Sequence, residues 1–150
     1  MTGLPFVDND GGRAAAGFKG KAGDCVCRSI AIVAQLPYEE VYAVLAKGRG
    51  SQRASRTTGG KTLSASAREG IHTKRKWFKD YMESLGFKWV PTMAIGQGCK
   101  VHLAAGELPA GRLIVAVSKH YTAVIDGVIH DNHDPSRDGS RCVYGYWEFP

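Results

Sequence analysis

The chain has 150 residues, which is the length of one ordinary domain. Apolar residues make up 43% and charged residues 23%, close to the averages of globular proteins, so the composition excludes wholesale disorder. No apolar run approaches the roughly 20 residues that cross a bilayer, and the sequence does not begin with a basic flank followed by an apolar stretch. We therefore predict a cytoplasmic protein without a signal peptide or a membrane partner, whose four cysteines are reduced thiols.

The net charge of +6 is unevenly distributed along the sequence. Ten basic residues but only one acidic residue lie between Lys47 and Lys79, and the rest of the chain is slightly acidic. This stretch either binds a polyanion, such as nucleic acid or an acidic host protein, or is a solvated loop. The candidate basic patch consists of Arg49, Arg53, Arg56, Lys61, Lys74, Arg75, Lys76 and Lys79.

The first part of the chain predicts an extended segment followed by a buried helix. Residues 1–22 are rich in glycine and alanine, without a sustained hydrophobic period, and we interpret them as an extended lead-in. Asp24 is a favourable N-cap residue, and the segment from Cys25 to Leu36 is apolar nearly all round. This pattern is typical of a helix buried in the domain.

Two further helices are predicted on either side of a loop. Pro37 suits the first position of a helix, and apolar residues at helical spacing continue this helix to about Gly48. Residues 48–70 have almost nothing to bury and predict a flexible basic loop. Thr73 is expected to cap a third helix that extends to about Leu85.

The remainder of the chain is predicted to be mainly β-structure. An Asp-Gly pair at 126–127 lies between two apolar runs, which is a strong signal for a two-residue type I′ hairpin. Helices first and an antiparallel sheet last indicate a single α+β domain over residues 1–150. Strands are expected at 87–90, 112–118, 120–125, 128–132 and 141–149, and a short helix at 101–108.

One cysteine and one hairpin together suggest a reactive site. Cys25 lies in the first turn of the predicted helix, where the helix dipole and unbonded amides stabilise a thiolate. In the register set by the hairpin turn, His120 and Asp131 are diagonal neighbours on one side of the sheet. A carboxylate beside a histidine favours the imidazolium of a cysteine–histidine ion pair. The sequence therefore predicts a Cys25–His120–Asp131 triad.

These residues resemble those of the papain-like cysteine peptidase superfamily. Asp-Cys at 24–25, then a long connection, then His120 on a strand followed by Asp131, is most similar to the bacteriocin-processing peptidases. Segments 111–120 and 128–137 also resemble small proteins of tailed bacteriophages and prophages. The resemblance implies a papain-like fold in a bacterial or phage-infected cell. It also implies that Cys25 is the nucleophile, His120 the general base and then acid, and Asp131 the orienting residue.

The oxyanion donor departs from the pattern of that superfamily. The superfamily has a glutamine five or six residues before the cysteine, whereas the sixth position back is Lys19 here. Lys19 or Lys21, together with the backbone amide of Cys25, are candidate donors, and Gln97 is a third.

The predicted function is that of a thiol hydrolase, a cysteine peptidase or isopeptidase that acts on a peptide or protein without cofactor or metal. One alternative is a catalytically degenerate papain-like scaffold that binds nucleic acid or a host protein through residues 47–79. A further alternative is a peptidoglycan amide hydrolase. Cys27 projects to a different side of the helix from Cys25 and is interpreted as a packing residue, as are Cys99 and Cys142. A zinc site that includes Cys25, Cys27 and His120 is not favoured, because Cys-x-Cys without a second tight pair matches the usual ligand spacings poorly.

Overall fold

The structure is a computed structural model that describes residues 3–17, 24–51, 73, 75–93, 96 and 98–150, with the backbone alone for 49–51. Within these ranges, three helices pack against one six-stranded sheet, so the predicted α+β class is confirmed. No helix there is long and apolar enough to span a bilayer. The helices are α1 (Cys25–Ala34), α2 (Tyr38–Ser51) and α3 (Lys76–Ser84). The strands are β1 (Phe6–Asp8), β2 (Lys88–Pro91), β3 (Arg112–Val117), β4 (His120–Ile125), β5 (Val128–Asp131) and β6 (Gly145–Phe149).

The sheet has the strand order β1-β5-β4-β3-β6-β2. Its pairs are antiparallel except for β1, which pairs in parallel with β5. The predicted hairpin is confirmed, because Ile125 pairs with Val128 across the turn. Asp126 and Gly127 have φ angles of +48° and +78°, as a type I′ turn requires. The register of β4 and β5 is therefore the one expected from the sequence.

The sheet is buried on both faces around β3. Successive residues of a strand point to opposite sides, so Ile114 packs with α1 while Leu113 and Val115 enter a second apolar cluster. On the first face, Cys27 and Ile30 of α1 are fully buried. This packing fixes the position of α1 over the centre of the sheet and places its first turn near the start of β4.

The helices differ from the prediction at their ends. Gln35 adopts a left-handed conformation (φ +56°) and ends α1 before Leu36. Helix α2 continues to Ser51, beyond the predicted end near Gly48, so the first residues of the predicted loop are helical. The rest of that loop, 52–70, lies outside the described residues. The predicted cap at Thr73 is wrong, because α3 begins at Lys76 after an extended Arg75.

Two predictions about the chain before β3 and β6 are also wrong. Residues 101–108 form no helix; isolated bridges hold this segment to two others, through His102–Cys142 and Gly3–Ala104. The last strand begins at Gly145 rather than at residue 141. The short strand β1 agrees with the extended conformation expected in the lead-in. Backbone pairing with distant segments replaces the local helix.

Cys99 and Cys142 form a disulfide, with their Cα atoms 5.9 Å apart. The prediction of four reduced thiols, with these two as packing residues, is therefore wrong. The bridge between His102 and Cys142 brings the two segments to the separation that a disulfide needs. Cys25 and Cys27 remain as thiols.

Candidate active site

Cys25 lies at the start of α1, with its Sγ facing the sheet. The backbone N–H of Tyr121 donates a hydrogen bond to this Sγ over 3.4 Å. The thiol is partly buried rather than enclosed in the core. The first amides of a helix have no acceptor within the helix, so the start of α1 favours a negative charge at Cys25. This is an environment in which a thiolate is stabilised.

Asp24 has a different role from the one predicted. It immediately precedes α1, but its side chain makes no capping hydrogen bond within the described part of the chain. The carboxylate is buried, only 2% exposed, and is paired with Arg28 and Arg13 instead. The buried guanidinium of Arg28 and the partly buried one of Arg13 outcompete backbone amides for this carboxylate, because leaving a buried charge without its partner costs more than losing a cap. The prediction of Asp24 as a side-chain N-cap is therefore wrong.

His120 and Asp131 are joined by a hydrogen bond across the hairpin. His120 Nε2 lies 2.7 Å from Asp131 Oδ2, and the predicted diagonal contact is present. The same oxygen accepts a hydrogen bond from Thr122 Oγ1 over 2.8 Å, and Oδ1 accepts one from the backbone N–H of Asn132 over 2.7 Å. Asp131 is 3% exposed. Because Nε2 is engaged by the carboxylate, Nδ1 is the ring nitrogen left for Cys25.

The charges of the three groups depend on one another. Burial raises the pKa of Cys25, but a hydrogen bond and the charge of His120 outweigh it, so that this pKa is lowered. Burial opposes the charge of His120 as well, yet its bonds to Asp131 and Cys25 raise its pKa to about 9. Burial raises the pKa of Asp131, and its bond to His120 more than compensates, so the carboxyl pKa is lowered. This arrangement favours a thiolate, an imidazolium and a carboxylate at neutral pH.

A groove of about 630 Å³ adjoins this group. Tyr121, whose backbone N–H bonds the Cys25 Sγ, lines this groove together with Lys119, whereas Cys25, His120 and Asp131 are not among its lining residues. Four of its ten lining residues are aromatic, and Lys79 and Glu83 of α3 also line it. No local sequence pattern reveals this groove, since its aromatic residues come from three separate strands and a loop. These aromatic residues are Trp89, Tyr121, Tyr144 and Trp147.

Several predicted site residues cannot be placed. Lys19, Lys21 and Gln97, the oxyanion candidates, lie outside the described residues. So do four members of the basic patch, Arg53, Arg56, Lys61 and Lys74, as well as the side chain of Arg49. The described members, Arg75, Lys76 and Lys79, belong to the start of α3. Lys76 pairs with Asp80 on the exposed face of that helix over 2.7 Å, and Lys79 lines the groove.

The second cysteine of α1 is not part of the group. Cys27 is fully buried, its thiol lies 3.8 Å from the carbonyl oxygen of Tyr38, and burial raises its pKa to about 12. This agrees with its interpretation as a packing residue.

A different set of side chains, His120, Asp131 and His133, offers three atoms within 4.8 Å of one another that could ligate a metal ion. The ring of His133 is exposed and its centroid lies 4.9 Å from that of His120. Two imidazoles and a carboxylate are ligands that suit Zn²⁺. A metal bound through His120 Nε2 would replace the bond to Asp131, so the triad and the metal site are mutually exclusive.

No protein-family model, curated protein or solved structure matches this chain significantly. The function is therefore inferred from the geometry and the charges of the site.

Proposed function

We propose that the protein is a thiol hydrolase, a cysteine peptidase or isopeptidase, that uses Cys25, His120 and Asp131. The single observation that carries this proposal is the linked chain of contacts. A thiol with a lowered pKa at a helix start interacts with an imidazole whose other nitrogen is held 2.7 Å from a buried carboxylate. This is the arrangement of a nucleophile, its base and an orienting group.

The proposed reaction has two steps. The Cys25 thiolate attacks an amide carbonyl carbon, a C–S bond forms, and the imidazolium of His120 protonates the leaving amine as the C–N bond breaks. Water then attacks the thioester carbon, His120 accepts a proton from it, and the C–S bond breaks to release the acid and the thiolate. The amides of the first turn of α1 are suited to stabilise the oxyanion in both steps.

The groove beside His120 supports a peptide substrate. A wall that includes four aromatic rings suits a bulky apolar side chain of the substrate. We propose that a substrate peptide lies in this groove with its scissile carbonyl over Cys25.

Alkylation by iodoacetamide across the pH range tests the proposal. The rate at Cys25, located by peptide mass spectrometry, should already be high at pH 6 and should fall in His120→Ala. His102→Ala is the matched control, because His102 also pairs with a carboxylate, at 3.1 Å from Glu107, but belongs to the segment bridged to Cys142 and not to the strands of the triad. A Cys25 that alkylates with an ordinary thiol profile, unchanged in His120→Ala, contradicts the proposal. Where the alkylation result agrees with the proposal, hydrolysis of a fluorogenic peptide library identifies the bond that is cleaved, and Cys25→Ala should show no hydrolysis.

The second candidate function is binding of nucleic acid or an acidic host protein. It is supported by the exposed Lys76 and Lys79 at the described end of the basic stretch. Nucleic-acid binding should weaken steeply between 50 and 200 mM salt, by about tenfold or more if several phosphates are contacted. Nucleic-acid binding that is absent or insensitive to salt removes this candidate.

The peptidoglycan alternative is tested separately, by a zymogram on purified cell wall with Cys25→Ala as the control.

A further inference from the structure

A buried arginine connects the helix of Cys25 to the strand of Asp131. Arg28 lies one turn after Cys25 in α1 and is only 5% exposed. Its guanidinium is bonded to Asp24 and also reaches Asp131 Oδ1 at 3.4 Å and Asn132 Oδ1 at 3.5 Å. A single side chain therefore contacts the residue before the thiol and the carboxylate that holds the imidazole.

The two carboxylates that face Arg28 are both fully engaged. Asp24 also accepts a hydrogen bond from the Tyr38 hydroxyl and lies 3.1 Å from Arg13 Nε. Oδ2 of Asp131 is bonded to His120 and Thr122, and Oδ1 is bonded to Arg28 and to the backbone N–H of Asn132. With both oxygens occupied, the carboxylate of Asp131 cannot rotate without losing a contact.

We propose that Arg28 is a positioning residue, which fixes the Asp131 carboxylate toward His120 and adds its positive charge to that of His120 beside this carboxylate and the Cys25 thiol. Asp24 is its counter-ion, which holds the guanidinium between the two elements. This inference rests on the proposed function, because it assigns a role within the same triad.

The positive charge of Arg28 and its position both favour the ionised form of the Cys25 thiol. The charge of Arg28 contributes to lowering the pKa of Cys25, after the larger contribution of His120. A buried cation is effective here because few water molecules screen it. Among the described residues, His120, Arg28 and the backbone amide of Tyr121 act on the charge of the Cys25 thiol. The charged or titratable groups next to Arg28 and its partners are Asp24, Asp131, Cys27, Arg13, Tyr38 and His133.

The test is the pH profile of Cys25 alkylation in Arg28→Gln, Arg28→Lys and Asp24→Asn. In Arg28→Gln the rate at pH 6 should fall about three- to tenfold and converge with the wild-type rate near pH 10, where the thiol is ionised without help. Arg28→Lys should restore most of the rate at pH 6. Asp24→Asn should move the profile in the opposite direction, since it removes a negative charge beside the same guanidinium.

Arg112→Gln is the matched control. Arg112 is also a partly buried arginine that holds α1, but it bonds the carbonyls of Ile32 and Val33 at the far end of the helix. The substitution Arg112→Gln should lower the stability of the fold without shifting the pH profile of Cys25 alkylation. If Arg28→Gln does not fold, as judged by circular dichroism, Asp24→Asn decides, and a wild-type profile in Asp24→Asn overturns the inference.

The two failures are distinguishable. If His120→Ala leaves the alkylation profile of Cys25 unchanged, both the proposed function and the role of Arg28 are wrong. If His120→Ala changes the profile while Arg28→Gln lowers the rate equally at every pH, or not at all, then Arg28 is only structural and the triad stands.

Discussion

Replacing Asp131 with asparagine removes the negative charge that we propose to stabilise the imidazolium of His120. Asparagine is close in size and keeps one oxygen as an acceptor, so the bond over 2.7 Å to His120 and the bond from Thr122 can be retained in part. What disappears is the charge. The expected result is a lower pKa of His120 and fewer molecules with an ionised Cys25 thiol at neutral pH.

The size of this effect follows from the pKa of His120. Its rise from an ordinary 6.5 to about 9 corresponds to about 3 kcal/mol, to which both Asp131 and Cys25 contribute. If Asp131 supplies about half, the Cys25 alkylation rate near pH 6.5 should fall roughly tenfold in Asp131→Asn. The folded protein should also lose about 1–3 kcal/mol, because the buried Arg28 then faces a neutral amide.

The change should also alter how stability depends on pH. The carboxyl pKa of Asp131 is lowered by folding, so its contribution is present above the ordinary value near 3.8 and is lost as the pH falls through the lower, folded value. His120 has a raised pKa, and its contribution is present below pH 6.5 and lost as the pH rises through about 9. Asp131→Asn should abolish the first loss and weaken the second.

Iodoacetamide kinetics from pH 5 to 10 and urea unfolding at pH 4, 7 and 9.5 measure these two effects. Asp138→Asn is the control, because Asp138 is exposed in the following loop at φ +55°, a conformation that asparagine tolerates. The control should match the wild type in both assays. An Asp131→Asn profile that superimposes on that of the wild type would refute the electrostatic reasoning, whatever the change in stability.

Three further predictions concern the groove and the scaffold. Trp89→Ala removes an exposed aromatic wall of the groove, so the preference of a peptidyl chloromethyl ketone series for an aromatic over a methyl side chain should fall about tenfold, with iodoacetamide kinetics unchanged. Gly48→Ala should lower the unfolding free energy in urea by about 1–3 kcal/mol, since a Cβ there would lie 2.3 Å from the Trp77 ring. Reducing Cys99–Cys142, which closes a loop with a sequence separation of 43, should cost up to about 4 kcal/mol in the same assay, and no change on adding dithiothreitol would contradict this.

The hairpin was predictable from the sequence because its determinants are local. An Asp-Gly turn fixes which residues pair, and the period of two then places His120 and Asp131 on one side. The first helix was predictable for a similar reason, since a long apolar segment begins at Cys25. The proximity of these two elements was a hypothesis taken from chemistry and resemblance, not from any local signal.

The contacts that could not be predicted join segments distant in sequence. No local pattern pairs Phe6–Asp8 with β5, or Cys99 with Cys142. The segment 101–108 has a local preference for helix but gains backbone partners elsewhere, as in the bridge from Ala104 to Gly3. Tertiary pairing overrides a weak propensity when the segment is short.

Cys25 and Cys27 show why position on a helix is not enough to identify a reactive thiol. Both lie in the first turn of α1, so both experience the helix dipole, yet the pKa of Cys25 is lowered while burial raises that of Cys27 to about 12. The difference comes from what faces each sulfur. Cys27 projects into the apolar core beside a carbonyl oxygen, whereas Cys25 faces an amide and an imidazole presented by β4. The cationic partner is therefore the decisive feature. A variant without the imidazole of His120 should lose the high reactivity of Cys25, although this thiol stays at the start of the helix.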